Sequence, residues 1–172
     1  FTVIDESYNA NPASMRAALE ALGQAKPEAQ GRRIAVIGDM LELGDDSIAM
    51  HRGLAETIRE ADVDLVFASG PHMRELFKAL PAGTQGAYGE TSDELGEALR
   101  EAVEPGDVVM VKGSLGSRMG PIVDLLMGLG DDPGASTRRN RGRNCGFLTG
   151  SGTWRSTCRR WTGSRTAPHP QA

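Results

Sequence analysis

Phe1-Thr2-Val3-Ile4-Asp5-Glu6-Ser7-Tyr8-Asn9-Ala10-Asn11-Pro12 contains a strand, a loop and the start of a helix in one short stretch. Thr2 to Asp5 is rich in β-branched residues and reads as a strand. Asn11 is a good N-cap and Pro12 suits a first helical position, where its missing N–H goes unneeded. Met15, Ala18, Leu19 and Leu22 then recur at i, i+3, i+4 and i+7, the apolar stripe of a helix packed on a core.

This strand-loop-helix unit repeats along the chain. Further strands are predicted over Ile34 to Gly38, Leu65 to Ser69, Gly86 to Tyr88 and Val108 to Lys112, the fourth so poor in apolar residues that it fits a sheet edge. The spacing predicts a second helix through Met50, Leu54, Ile58 and Ala61, opened by Asp45, Asp46 and Ser47. A third runs from His72 to Leu80. A fourth carries Leu95, Ala98, Leu99, Ala102 and Val103, opened by Thr91 to Glu94 and ended by Pro105-Gly106, and a fifth carries Ile122, Leu125, Leu126 and Leu129. Alternation of this kind predicts an α/β fold, a parallel sheet with helices on both faces.

Near Gly130 the composition changes. Residues 1–130 hold 21 Asp and Glu against 11 Lys and Arg, whereas residues 131–172 hold 2 Asp against 8 Arg. The overall charge of -4 therefore joins a body of -10 to a tail of +6. A body so acidic argues against nucleic-acid binding, which needs a basic face to displace counterions. Both cysteines, Cys145 and Cys158, and both tryptophans, Trp154 and Trp161, fall in the tail, and no disulfide framework is implied. Neither a membrane span nor a signal peptide can be drawn, so a soluble cytoplasmic protein is expected. Residues 1–130 are expected to form one domain. Residues 131–172, dominated by Gly, Ser, Thr and Arg without period, are expected to be disordered or non-native, such as an out-of-frame segment; a binding arm anchored by the two tryptophans is the functional alternative.

Ligands of open parallel sheets bind at the carboxyl ends of the strands, which singles out three loops. Tyr8, Asn9 and Asn11 offer a phenol and two carboxamides beside a helix N-terminus, suited to a purine, a ribose or an anion. They fit a local role equally, with Asn11 as cap and Asn9 as turn. The second loop, Gly38 to Gly44, lacks the G-x-G-x-x-G fingerprint of dinucleotide sites; Asp39 and Glu42 are its candidates for a substrate amine or metal, with caps and solvated turns as their local alternative, and His51, about two turns beyond, fits a structural role as well. The third, Lys112-Gly113-Ser114-Leu115-Gly116-Ser117-Arg118, combines two cations, two hydroxyls and two glycines, the makings of a carboxylate or phosphate pocket. No G-x-x-x-x-G-K-[ST] phosphate loop occurs, so any ATP phosphates would be held elsewhere.

Asp5 to Met15, Ala35 to Gly44, His51, Val111 to Ser114 and Arg118-Met119, taken in order and spacing, resemble the C-terminal domain of the Mur ligases. The Tyr-Asn-Ala-Asn-Pro string marks the branch that adds D-alanyl-D-alanine. The resemblance covers residues 1 to about 127. It implies a Rossmann-like three-layer αβα domain with five parallel strands in the order 1-5-2-3-4, preceded in the family by an antiparallel strand ending in an arginine that meets ATP. This chain then begins after that strand, as a fragment truncated on its N-terminal side, with its first strand as an exposed edge.

The family's reaction, in peptidoglycan synthesis, uses ATP and Mg2+ to activate the carboxylate of UDP-N-acetylmuramoyl-tripeptide as an acyl phosphate, which the amine of D-alanyl-D-alanine attacks. The resemblance implies that a missing central domain holds most of the ATP and Mg2+, that an N-terminal domain holds the UDP moiety, and that the present domain closes over the central one as part of a monomer. Tyr8, Asn9 and Asn11 would face the nucleotide, and Lys112, Ser114 and Arg118 the peptide substrates, with Asp39 and His51 as further substrate-side residues. The fragment alone would hold no catalytic residue and no metal and would be inactive. The competing readings are a stand-alone nucleotide or small-carboxylate binding module, and a nucleic-acid or partner-binding protein acting through its tail.

Overall fold

The computed structural model describes residues 1–130 and, as backbone, residues 138–141. The strands are β1 (Thr2–Glu6), β2 (Arg33–Gly38), β3 (Leu65–Ser69), β4 (Gln85–Gly89), β5 (Val108–Lys112) and β6 (Arg138–Arg141). The helices are α1 (Pro12–Gln24), α2 (Ser47–Arg52), α3 (Leu54–Glu60), α4 (Met73–Ala79), α5 (Gly96–Ala102) and α6 (Gly120–Gly130). The sheet runs β4-β3-β2-β5-β1-β6 with every neighbouring pair parallel. Its first five strands thus follow the expected order 1-5-2-3-4.

Period-two alternation divides the core into two layers. Ala35 and Ile37, Val66 and Ala68, and Val108 and Met110 pack with Met15, Leu19 and Leu22 of α1, Leu54 and Ile58 of α3, and Met73 and Leu76 of α4. Ile34 and Val36, Phe67, and Val109 and Val111 face the opposite way, onto Leu99 of α5 and Ile122, Val123 and Leu126 of α6. Helices therefore cover both faces. No helix among the described residues is long and apolar enough to cross a membrane.

Three expectations need correction. The single helix expected from Asp45 onward is a short 3-10 turn at Gly44–Asp46 followed by α2 and α3, divided at Gly53, and Asp46 makes no side-chain cap. The fourth helix likewise opens with a 3-10 turn at Ser92–Leu95 before α5. The first strand is not an edge, because β6 pairs along it from Thr2↔Arg138 to Asp5↔Arg141. Strand pairing is carried by backbone N–H and C=O groups, so the polar run Arg138-Arg139-Asn140-Arg141 can extend a sheet that no hydrophobic period announces. The remaining expectations for residues 131–172, including the arm with Trp154 and Trp161, lie outside the described residues.

The start of α1 matches its sequence signals. Asn11 Oδ1 accepts from the Ser14 N–H at 2.8 Å, and the Asn11 N–H donates to Ser14 Oγ at 3.0 Å, a reciprocal capping box. Asn11→Ala should lower the unfolding free energy by about 1 kcal/mol. Thermal unfolding checks this, and an unchanged midpoint would contradict it.

Candidate functional site

β1, β2, β3 and β5 all end at one rim of the sheet, so the loops after them are neighbours although far apart in sequence. The register Glu6↔Lys112 brings the last residues of β1 and β5 together. Lys112 is almost wholly buried, and its ammonium donates to Glu6 Oε2 at 3.1 Å and to the Asn9 carbonyl at 2.7 Å. A buried cation needs such partners, since desolvation without them is costly. Two of its three protons are thus occupied within the protein.

On the first loop Tyr8 is 73% exposed, and Asn9 and Asn11 are also on the surface. The Asn11 amide oxygen serves the helix cap and the Asn9 carbonyl serves Lys112, so both local roles are realised. These roles leave the Tyr8 phenol, the Asn9 side chain and the Asn11 amide nitrogen as the groups a ligand would meet.

Asp39, at the end of β2, is buried and turns toward the neighbouring strand. Its Oδ1 accepts from the Met73 N–H at 2.9 Å and its Oδ2 from the His72 N–H at 3.3 Å, so the carboxylate takes up open donors at the start of α4. Gly70 makes room for it: φ there is +108°, and a Cβ would lie 2.4 Å from the Asp39 Cγ.

His51 is completely buried and both its ring nitrogens are committed. Nδ1–H donates to the Ser47 carbonyl at 2.6 Å, and Nε2 accepts from the Met40 N–H at 2.9 Å. A carbonyl can only accept and an N–H can only donate, so the ring is the neutral Nδ1–H tautomer. Burial holds its pKa below the ordinary imidazole value, outweighing the opposing pull of the Ser47 carbonyl and of Asp39, whose Oδ1 is 4.0 Å away. Ser47 Oγ lies 3.4 Å from His51 Nδ1 and 3.2 Å from Nδ1 of His72, whose ring stacks on His51 at 5.4 Å. Asp39, His51 and Ser47 are nevertheless no nucleophilic triad, because neither ring nitrogen is free to take the serine proton.

The third loop closes the rim. Ser117 Oγ donates to the Ser114 carbonyl at 2.6 Å. Gly113 permits this tight turn, since a Cβ there would stand 2.3 Å from Ser117 Oγ and 3.2 Å from the Cα of Gly38. Arg118 is exposed, with a left-handed backbone (φ +54°), and its carbonyl accepts from Ser92 Oγ at 2.8 Å. Lys112, Ser114 and Asp39 are therefore brought together in the laced rim, with His51 behind it and Arg118 at its margin. Among the described residues no three His, Cys, Asp or Glu are grouped to hold a metal ion.

Sequence reasoning missed Glu6, the counter-charge of Lys112, and Ser47, the partner of two imidazoles. The signal for Glu6 was available: parallel pairing of β1 with β5 sets a strand-end acid beside a strand-end base. Ser47 carried no comparable signal, since it fitted a helix start equally well.

The fold and its loops define a Rossmann-like α/β domain with a polar rim at the strand ends. Residues 1–115 match the family model described as Mur ligase, glutamate ligase domain. The UDP-N-acetylmuramoyl-tripeptide--D-alanyl-D-alanine ligase of Mycobacterium tuberculosis strain H37Rv is 38% identical over 156 residues, covering 80% of this chain and 30% of the relative. Two solved structures superpose well. The MurF ligase of Thermotoga maritima in complex with ADP has a TM-score of 0.61 and 26% identity, over 74% of this chain and 28% of that one. A MurF of Acinetobacter baumannii has a TM-score of 0.59 and 30% identity, over 70% and 26%. The chain belongs to the Mur ligase family and corresponds to its C-terminal domain. It spans about 30% of the length of the curated relatives it matches.

Proposed function

We propose that this chain is the C-terminal part of an ATP-dependent ligase that joins D-alanyl-D-alanine to UDP-N-acetylmuramoyl-tripeptide in peptidoglycan synthesis. The observation that carries this reading is the Tyr8-Asn9-Ala10-Asn11-Pro12 string at the carboxyl end of β1, with Tyr8, Asn9 and Asn11 exposed, in a chain 38% identical to ligases named for that reaction. In this reading ATP supplies the activation of the tripeptide carboxylate, with its phosphates and Mg2+ held by another part of the enzyme.

The residues of this chain orient and close. Tyr8, Asn9 and the amide nitrogen of Asn11 face the nucleotide. The exposed Arg118 supplies positive charge on the side of the peptide substrates, and the Lys112 ammonium, its charge balanced by Glu6, offers there the one proton beyond those given to Glu6 and Asn9. Ser114, Asp39 and His51 stand on the same side. Placing a bound amine against an activated carboxylate in a water-poor cleft is itself a large part of amide-bond catalysis.

The N-terminal and central domains of a Mur ligase of this branch, supplied together with the chain, should release ADP only when the tripeptide substrate and D-alanyl-D-alanine are present. The chain alone should release none. ADP release by residues 1–130 alone, or none from the combined domains, would sink the proposal.

A further inference from the structure

Ser114 is buried where three loops meet. Its hydroxyl accepts from the Leu41 N–H at 2.9 Å and donates to the Ala10 carbonyl at 3.3 Å. Its own N–H donates to the Asp39 carbonyl at 3.1 Å, and its carbonyl receives Ser117 Oγ at 2.6 Å and the Ser117 N–H at 2.9 Å. A hydroxyl has one proton to give. Here that proton goes to Ala10. A substrate carboxylate or phosphate, which can only accept, therefore finds no donor at Ser114 without breaking a contact within the rim.

Two residues earlier Lys112 holds the Asn9 carbonyl, so the end of β5 grips two consecutive carbonyls of the first loop. Those carbonyls lie between Tyr8 and the cap of α1. The same hydroxyl fixes Leu41 on the loop after β2. We propose that Ser114 is a positioning residue that couples the loop after β1 to the loops after β2 and β5, so that the three loops are ordered as one unit. The proposal rests on the ligase reading only for what each loop faces; the coupling belongs to this chain alone.

Amide hydrogen exchange on the whole chain tests the coupling without any ligand. In Ser114→Ala the Leu41 N–H and the Ala10 carbonyl lose their shared partner. Exchange in residues 7–12 and 39–43 should rise together, by about tenfold. Residues 65–69 and 85–89 should stay as protected as before. Ser114→Thr, which keeps the hydroxyl, should return both segments to within about twofold of the parent.

If the alanine variant fails to fold, Ser114→Cys, close in volume but a weak hydrogen-bonding partner, carries the same comparison. A rise confined to one loop, a uniform rise everywhere, or no rescue by threonine would overturn the coupling. In the combined-domain assay, Ser114→Ala should raise KM for ATP and for D-alanyl-D-alanine together. A rise for the dipeptide alone would mark a direct contact and refute positioning. Complete absence of ligase activity in the parent would remove the ligase reading and leave the exchange result to decide the coupling.

Discussion

Asp107→Ala should lower the unfolding free energy by about 3 kcal/mol, the scale of removing one partner from a buried, hydrogen-bonded charge pair. Asp107 is 1% exposed at the amino end of the sheet. Its Oδ1 accepts from the Arg32 N–H at 2.8 Å and from Arg32 Nε at 3.3 Å. Its Oδ2 accepts from Arg32 Nη2 at 2.9 Å and from the Glu104 N–H at 2.9 Å. Alanine leaves those backbone donors without their acceptor and removes the nearer of the guanidinium's two counter-charges, only Glu104 at 3.7 Å remaining. Arg32 is 30% exposed, so water recovers part of the loss and the upper range for buried pairs is not reached.

The location adds to the effect. The Asp107 carbonyl accepts from the Thr2 N–H at 2.8 Å and the next residue, Val108, donates to the Arg32 carbonyl at 2.8 Å, so this point joins β1, β5 and β2. Urea unfolding measures the change, and a loss below about 1 kcal/mol would show that the carboxylate does not hold this joint.

His51→Phe should cost about 2 to 3 kcal/mol and should also change how stability depends on pH. The phenyl ring fills the space but leaves the buried Met40 N–H without an acceptor, a penalty of about 1 to 3 kcal/mol. The pH effect follows from burial, which lowers the imidazole pKa in the folded chain below its ordinary value of 6.5. Above about pH 6.5 the ring is neutral in both folded and unfolded chains, and its full contribution is present. As pH falls below that value the unfolded chain takes up a proton that the folded chain refuses. Stability then falls by up to about 1.4 kcal/mol per pH unit until the folded pKa is reached. Unfolding curves between pH 5 and 8 should show this decline in the parent chain, and in His51→Phe the part due to this ring should vanish. Parallel curves for the two chains would refute the assignment.

The features legible in the sequence were those set by neighbours along the chain. The apolar runs at Leu65–Ser69 and Val108–Lys112 have the bounds expected of them, because a buried parallel strand shows itself in its own residues. The Asn11 cap was equally legible, since donor and acceptor are three residues apart. The break at Gly53 was not. An apolar stripe looks the same through one helix or through two short ones aligned along a core, and the choice falls to packing.

The strand-end rim divides along the same line. Its loops could be located because strand ends are where an α/β sheet leaves polar residues free, and the Tyr8-Asn9-Ala10-Asn11-Pro12 string pointed to the family. What each side chain does there was decided by tertiary structure. Lys112 meets Glu6 across 106 positions, Ser114 meets Ala10 across 104, and Asp39 meets Met73 across 34. Those partners follow from strand order and register, which turn distant residues into neighbours. By itself the sequence determined an α/β sheet, a capped first helix and three polar loops. Only the folded chain decided that a buried serine gives its one proton to a backbone carbonyl, because that depends on which loop the sheet sets beside it.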